Sequence, residues 1–180
     1  MSIIKEFARF ILAVLIYIGI FSLGLAMETY AMPLDEPCGL TEEELAENLK
    51  YDLKQFAGDF LKAEEEHGVN AAFLSAVASL ESGHGRYMFK SNNIFGWGGK
   101  TFNSVPECID FVAEKMKKNY IDPNGKYYRG GDIADIGKIY CPNDSEWVRL
   151  VSEIFADISK NAKVKVKTNT TDGKIIVYLR

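Results

Sequence analysis

From residue 41 to about residue 161, apolar positions recur at helical spacing, and short polar clusters break the pattern into segments. The first run, Leu45, Leu49, Leu53, Phe56 and Phe60, steps by three or four residues and so places one stripe on one helix face. Thr41 and Glu44 precede it at capping-box spacing and His67-Gly68 follows it, which predicts one long helix with His67 capping its last carbonyls. Asn70 then stands as N-cap before Ala71, Ala72, Phe73, Leu74, Ala76, Val77, Ala78 and Leu80, a run apolar on most sides that predicts a buried central helix. Ser104 starts a third helix with Val105, Cys108, Ile109, Val112 and Met116 facing inward. A short helix is expected from Asp132 to about Tyr140. A last one begins at Asn143 or Asp144 and carries Trp147, Val151, Ile154, Phe155 and Ile158 inward, with Trp147 read as core.

The pattern changes at both ends. Lys5 and Arg9 precede an uncharged apolar stretch from Phe10 to Met27, and Glu28, Asp35 and Glu36 follow it. Residues 1–31 are therefore expected to be either a cleaved signal peptide or an N-terminal membrane anchor, with the remainder outside the cytoplasm. Residues 32–40, with Pro33 and Pro37 among acidic positions, read as a linker. In residues 162–180, Val164 and Val166 alternate with lysines and Asp172-Gly173 precedes Ile175-Ile176-Val177-Tyr178, which predicts a β-hairpin tail. The expectation is a mainly α domain over residues 41–161 with a small C-terminal β-hairpin.

A hydrophobic content of 47% in 180 residues suffices for one substantial core. The net charge of -4 and the scattered lysines give no footprint for nucleic acid. Three cysteines, Cys38, Cys108 and Cys141, leave one over after any pairing; Cys108 with Cys141 is the favoured bridge if one forms, and buried free thiols are the other reading. Their spacings match no zinc site and His84 alone cannot make one, so neither metal nor cofactor is expected.

Candidate chemistry centres on Glu81-Ser82-Gly83-His84-Gly85-Arg86. Glu81 follows Ala78, Val77 and Leu74 at helical spacing, so it is expected to extend the apolar face and turn from solvent. Desolvation and the negative helix end should both raise its pKa and keep it protonated, as a general acid requires. Gly83 and Gly85 end the helix and leave room beside the carboxyl group. A plain helix-end glutamate with a glycine cap is the alternative, and His84 reads as a loop histidine at the cleft rim. Close behind, Ser91 to Gly99 combines Asn92, Asn93, Phe95 and Trp97 with glycines. Amides of this kind hydrogen-bond sugar hydroxyl and acetamido groups, and aromatic faces stack on sugar rings. Tyr127-Tyr128 forms a second aromatic cluster.

On these residues the chain resembles the bacterial endo-β-N-acetylglucosaminidase family of peptidoglycan hydrolases, within the lysozyme-like superfamily. The resemblance rests on Glu81-Ser82-Gly83-x-Gly85, Asn92-Asn93-Ile94-Phe95-Gly96, the Tyr127-Tyr128-x-Gly130 turn and Ile136-Gly137-x-x-Tyr140, in consistent order over about residues 42 to 160. It implies a lysozyme-like helical glycosidase domain with Glu81 as the essential acid. The implied substrate is a glycan of alternating N-acetylglucosamine and N-acetylmuramic acid, cut on the reducing side of N-acetylglucosamine. Asn92, Asn93, Phe95, Trp97, Tyr127 and Tyr128 form the implied substrate-binding set. Asn93 and Phe95 would line the groove, and either Tyr127 or Tyr128 would stabilise the acetamido group or the reacting ring.

A second carboxylate does not announce itself: Asp132 reads as an N-cap, Asp135 as an exposed first-turn residue and Glu107 as the capping-box partner of Ser104. An acetamido sugar can supply its own nucleophile, so a single protein acid with substrate assistance is expected. A muramidase or lytic transglycosylase of the same fold, and a non-catalytic glycan-binding module, remain open at this point. The expected partners are peptidoglycan glycan strands, and a membrane if the N-terminal segment is retained.

Overall fold

The computed structural model describes residues 33–162 and the backbone of two strands, β1 (Lys167–Thr171) and β2 (Lys174–Tyr178). The N-terminal segment 1–31, the alternation around Val164 and Val166, and the Asp172-Gly173 turn lie outside the described residues. Among the described residues no helix is long and apolar enough to cross a membrane.

The architecture is mainly helical and is built around α3 (Ala71–Ser82). Asn70 caps this helix by accepting a hydrogen bond from the Phe73 N–H at 3.1 Å, a contact of a kind worth about 1 kcal/mol. Its small residues let neighbours approach from several sides, and Ala71 through Ser79 are all buried. Helix α6 (Trp147–Ser159) packs on it with Trp147, Val151, Phe155 and Ile158, and α2 (Ala57–His67) packs elsewhere on its surface. Helix α4 (Val105–Met116) lies on α2, and α5 (Ile133–Tyr140) lies on α6. The expected caps form: Ser104 accepts from Glu107 N and Asp132 from Asp135 N. Strands β1 and β2 pair antiparallel, with Lys167 opposite Tyr178 and Thr171 opposite Lys174, as a hairpin tail requires.

Two expectations need correction, and the cysteines follow the second of their two readings. The long first helix is broken: α1 (Glu42–Asn48) ends, Leu49 is extended, and a 3₁₀ segment runs from Tyr51 to Phe56 before α2 begins. Leu45, Leu49 and Leu53 reach the core in spite of the break, so the apolar stripe does not reveal it. At the break, the Asn48 amide donates to the Ile158 carbonyl at 3.0 Å and Tyr51 adopts a left-handed backbone with φ 48°.

The supposed linker is part of the body over its described residues. Leu34, Cys38 and Leu40 are buried. The Asn70 backbone N–H donates to Leu34 O at 2.8 Å, and the Cys38 and Ala71 N–H groups both donate to Glu64 Oε2 at 2.7 Å. The Cys108–Cys141 bridge is not formed. All three thiols are free, and burial pushes those of Cys38 and Cys108 up to about 11.

Candidate active site

Glu81 sits in the last turn of α3, just before Gly83 closes the helix in the left-handed conformation (φ 55°). Contrary to the expectation from its apolar neighbours, Glu81 is an exposed residue. Its carboxylate is nonetheless flanked on two sides. Trp147 Nε1 donates to Glu81 Oε1 at 2.8 Å, and a Cβ placed on Gly96 would stand 3.7 Å from Oε2. These walls strip water from the carboxylate while leaving an opening to solvent. Desolvation therefore raises the Glu81 pKa above the ordinary carboxylate range; the Trp147 hydrogen bond opposes this and the nearby charge of Asp144 adds to it.

Trp147 is fixed in turn by a row of rings. Its indole lies 5.3 Å from the Tyr140 ring, centroid to centroid; Tyr140 lies 6.3 Å from Tyr120, and Tyr120 lies 5.2 Å from Tyr127. Trp97 packs against both Tyr140 and Tyr120, at 5.8 and 6.5 Å. Tyr140 OH donates to Phe95 O at 3.0 Å, tying the row to the Asn92–Trp97 turn. Burial, and then the Glu81 charge, hold the Tyr140 hydroxyl well above its ordinary pKa, so it stays a donor.

The amide residues of the turn play a different part from the one expected. Asn93 is buried (2% exposed), and its side chain donates to Trp97 O at 3.2 Å and Lys100 O at 2.9 Å while accepting from Trp97 N at 2.9 Å. Both donors and the acceptor are spent on backbone, and Phe95 is 1% exposed in the core. Neither residue lines a groove. They build the turn that presents Gly96 to the acid. Asn92 is half-buried with φ 56°, and its amide donates to Phe102 O at 2.9 Å.

Of the remaining expected site residues, Trp97 and Tyr127 belong to the ring row. Tyr128 packs its ring edge where a Cβ on Gly131 would stand, 3.2 Å away.

The acids weighed beside Glu81 have local partners. Asp132 caps α5, Asp135 pairs with Lys138 at 2.8 Å, and Glu107 Oε2 accepts from Asn103 N at 2.7 Å. Asp144, whose charge reaches Glu81, was not singled out by its sequence context; it precedes α6 and its Oδ1 accepts from Glu146 N at 2.9 Å. Trp147 was missed as a site residue for a similar reason. A buried indole needs an acceptor, but nothing in the sequence says that the acceptor is Glu81. Elsewhere, the possible metal ligands of Glu66, His67 and Asp110 lie within 4.8 Å of one another. His67 Nε2 is already hydrogen-bonded to Asp110 at 2.7 Å and Glu66 faces Lys62 at 3.8 Å, which is the pattern of helix-end pairing.

Fold and site together define a mainly helical domain with a flanked carboxylate at the end of its central helix. Proteins from two Streptococcus pneumoniae strains, provisionally named endo-β-N-acetylglucosaminidases, are each 29% identical over 119 residues; the match covers 60% of this chain but 18% and 17% of theirs. The chain thus spans less than a fifth of the curated relatives it matches. The crystal structure of S. aureus autolysin E, in complex with the muropeptide NAM-L-Ala-D-iGlu, superposes with a TM-score of 0.54 at 21% identity. That likeness covers 72% of this chain and 69% of the autolysin chain, and it bears out the fold. No protein-family model matches the chain. The names of the curated relatives bear out the family resemblance read from the sequence.

Proposed function

We propose that the chain is a peptidoglycan hydrolase that cuts the glycosidic bond on the reducing side of N-acetylglucosamine, with Glu81 as general acid. The observation that carries this reading is the Glu81 carboxylate itself, its pKa raised by flanking walls yet open to solvent between Trp147 and Gly96. The names of the pneumococcal relatives and the muropeptide held by autolysin E point to the same substrate class.

In the proposed reaction, protonated Glu81 gives its proton to the glycosidic oxygen as the bond from that oxygen to the anomeric carbon breaks. The acetamido carbonyl oxygen of the same sugar closes on the anomeric carbon. Water then opens the ring so formed and returns a proton to the Glu81 carboxylate, so the acid is regenerated. In this reading the glycan meets the ring row through Tyr127 or Tyr128, with Trp97 and Asn92 beside it. Such a substrate places the domain outside the cytoplasm, delivered or anchored by residues 1–31.

Mass spectrometry of borohydride-reduced fragments from digested peptidoglycan tests this. New reducing N-acetylglucosamine ends that vanish in Glu81→Gln are expected. Reducing or anhydro N-acetylmuramic ends would overturn the linkage, and intact strands would overturn the hydrolase.

A further inference from the structure

The break between α1 and the 3₁₀ segment meets the loop after Glu81 on a surface that the proposed reaction does not use. Two non-glycine residues with left-handed backbones face each other there: Tyr51 (φ 48°) and His84 (φ 62°), with ring centroids 5.9 Å apart. A side chain such as tyrosine takes this conformation only where its surroundings impose it, and such strain gathers at binding sites. His84 Nδ1 is buried and has no hydrogen-bond partner. Two hollows adjoin the pair. One of about 220 Å³ is lined by His84, Lys50, Ser79 and Ile158; the other, of about 460 Å³, is lined by Tyr51, Lys54 and, again, Lys50.

Charge indicates the kind of ligand. Two of the acids in the linings are engaged, Glu153 with Arg149 at 2.8 Å and Asp157 with Lys160 at 3.0 Å, and the third, Glu47, is exposed on α1. Lys50 and Lys54 have no acidic partner among the described residues. Arg86 stacks its guanidinium 3.9 Å from the Tyr51 ring centre and donates through Nε to Gly83 O at 3.1 Å. Its two terminal nitrogens, without a protein partner among the described residues, present the fork that suits a carboxylate. His84 lies beside these cations, and burial, then Lys50, then Arg86, lowers its pKa. A neutral imidazole offers one donor and one acceptor, as a peptide group requires.

We propose that Lys50, Tyr51, His84 and Arg86, with the adjoining hollows, form a second binding site, for a carboxylate-bearing peptide such as the stem attached to the glycan strand. Lys50 and Arg86 take the carboxylate, Tyr51 supports the guanidinium, and His84 Nδ1 meets the peptide backbone. The inference rests on the proposed substrate for its source of peptide. It predicts that strands bearing peptide are held more tightly than stripped strands.

The test is a titration of the full chain carrying Glu81→Gln, followed through the His84 ring resonances, with the muropeptide NAM-L-Ala-D-iGlu in one arm and acetate in another. Saturable shifts with the muropeptide are expected, weakened at least tenfold in Lys50→Gln/Arg86→Gln. His84→Asn, which tolerates a left-handed backbone, should also weaken binding when followed by calorimetry. In the active protein, wild type should show a lower KM on peptide-bearing than on peptide-stripped strands, and Lys50→Gln/Arg86→Gln should lose that preference.

Equal affinity of acetate and muropeptide would reduce the site to a simple anion site and overturn the peptide assignment. Equal muropeptide binding by wild type and variants would overturn the site. Anionic vesicle binding that the double variant loses, without muropeptide shifts, would assign the face to a membrane surface instead. Binding is read here without turnover, so failure of the hydrolase reading and failure of this site remain distinguishable.

Discussion

Two walls flank the Glu81 carboxylate, and they are built in opposite ways. On one side α6 brings a single N–H donor, Trp147 Nε1, held in place by the Tyr140 and Tyr120 rings. On the other, the turn from Asn92 to Trp97 turns the Asn93 amide inward and presents Gly96 to the acid. The first wall lowers the Glu81 pKa through its hydrogen bond; the second sets a residue without a side chain beside the other carboxylate oxygen. A polar residue near an acid is therefore not a ligand by virtue of its type. What matters is whether its hydrogen-bonding groups are already spent.

The largest effect expected is on the acid itself. Glu81→Gln keeps an acceptor for Trp147 but has no proton to give, and turnover of peptidoglycan should fall by about 10²–10⁴-fold with little change in the melting temperature. Next is the scaffold wall. Asn93→Ala leaves the Trp97 N–H and two carbonyls without their partner, which should destabilise the fold by about 2–3 kcal/mol in denaturant titration. A variant that stays as stable as wild type and instead loses substrate affinity would return Asn93 to the binding surface and break the contrast.

Smaller effects separate the two influences on the proton. Trp147→Phe preserves the ring but removes a hydrogen bond that lowers the Glu81 pKa, so that pKa rises further. A general acid works while protonated, so the alkaline limb of the pH–rate profile should move to higher pH. Asp144→Asn removes a like charge and should move the same limb to lower pH. This last shift is expected to be the smallest, since Asp144 is exposed and salt screens it. Shifts in the same direction for both variants would contradict the assignment of causes.

Much of the fold was legible because helix caps are local. Asn70, Ser104 and Asp132 each bond an N–H three residues on, and the inward stripes of α4 and α6 follow from spacing alone. The break after Asn48 was not legible, since Leu45, Leu49 and Leu53 would face inward with or without it. The Asn48 amide that marks the break finds its carbonyl 110 residues away. The segment around Pro33 and Pro37 has linker composition, yet Leu34 and Cys38 are held by Asn70 and Glu64, which lie far along the chain.

At the candidate site, Glu81 was legible from its glycines, and Trp97 and Tyr127 from their clusters. Trp147 was hidden: inward spacing marks it as core, which it is, and its N–H meets the acid 66 residues upstream.

The central claim is that partial desolvation of its carboxyl group raises the Glu81 pKa, and that the proton it carries is the one delivered. A carbon-detected NMR titration of the Glu81 carboxyl group, set beside the pH–rate profile of the same protein, tests it most directly. The account predicts that Glu81 titrates above the ordinary glutamate range and that its midpoint coincides with the alkaline limb of turnover. A midpoint at or below that range, or an alkaline limb that does not follow it, would contradict the account.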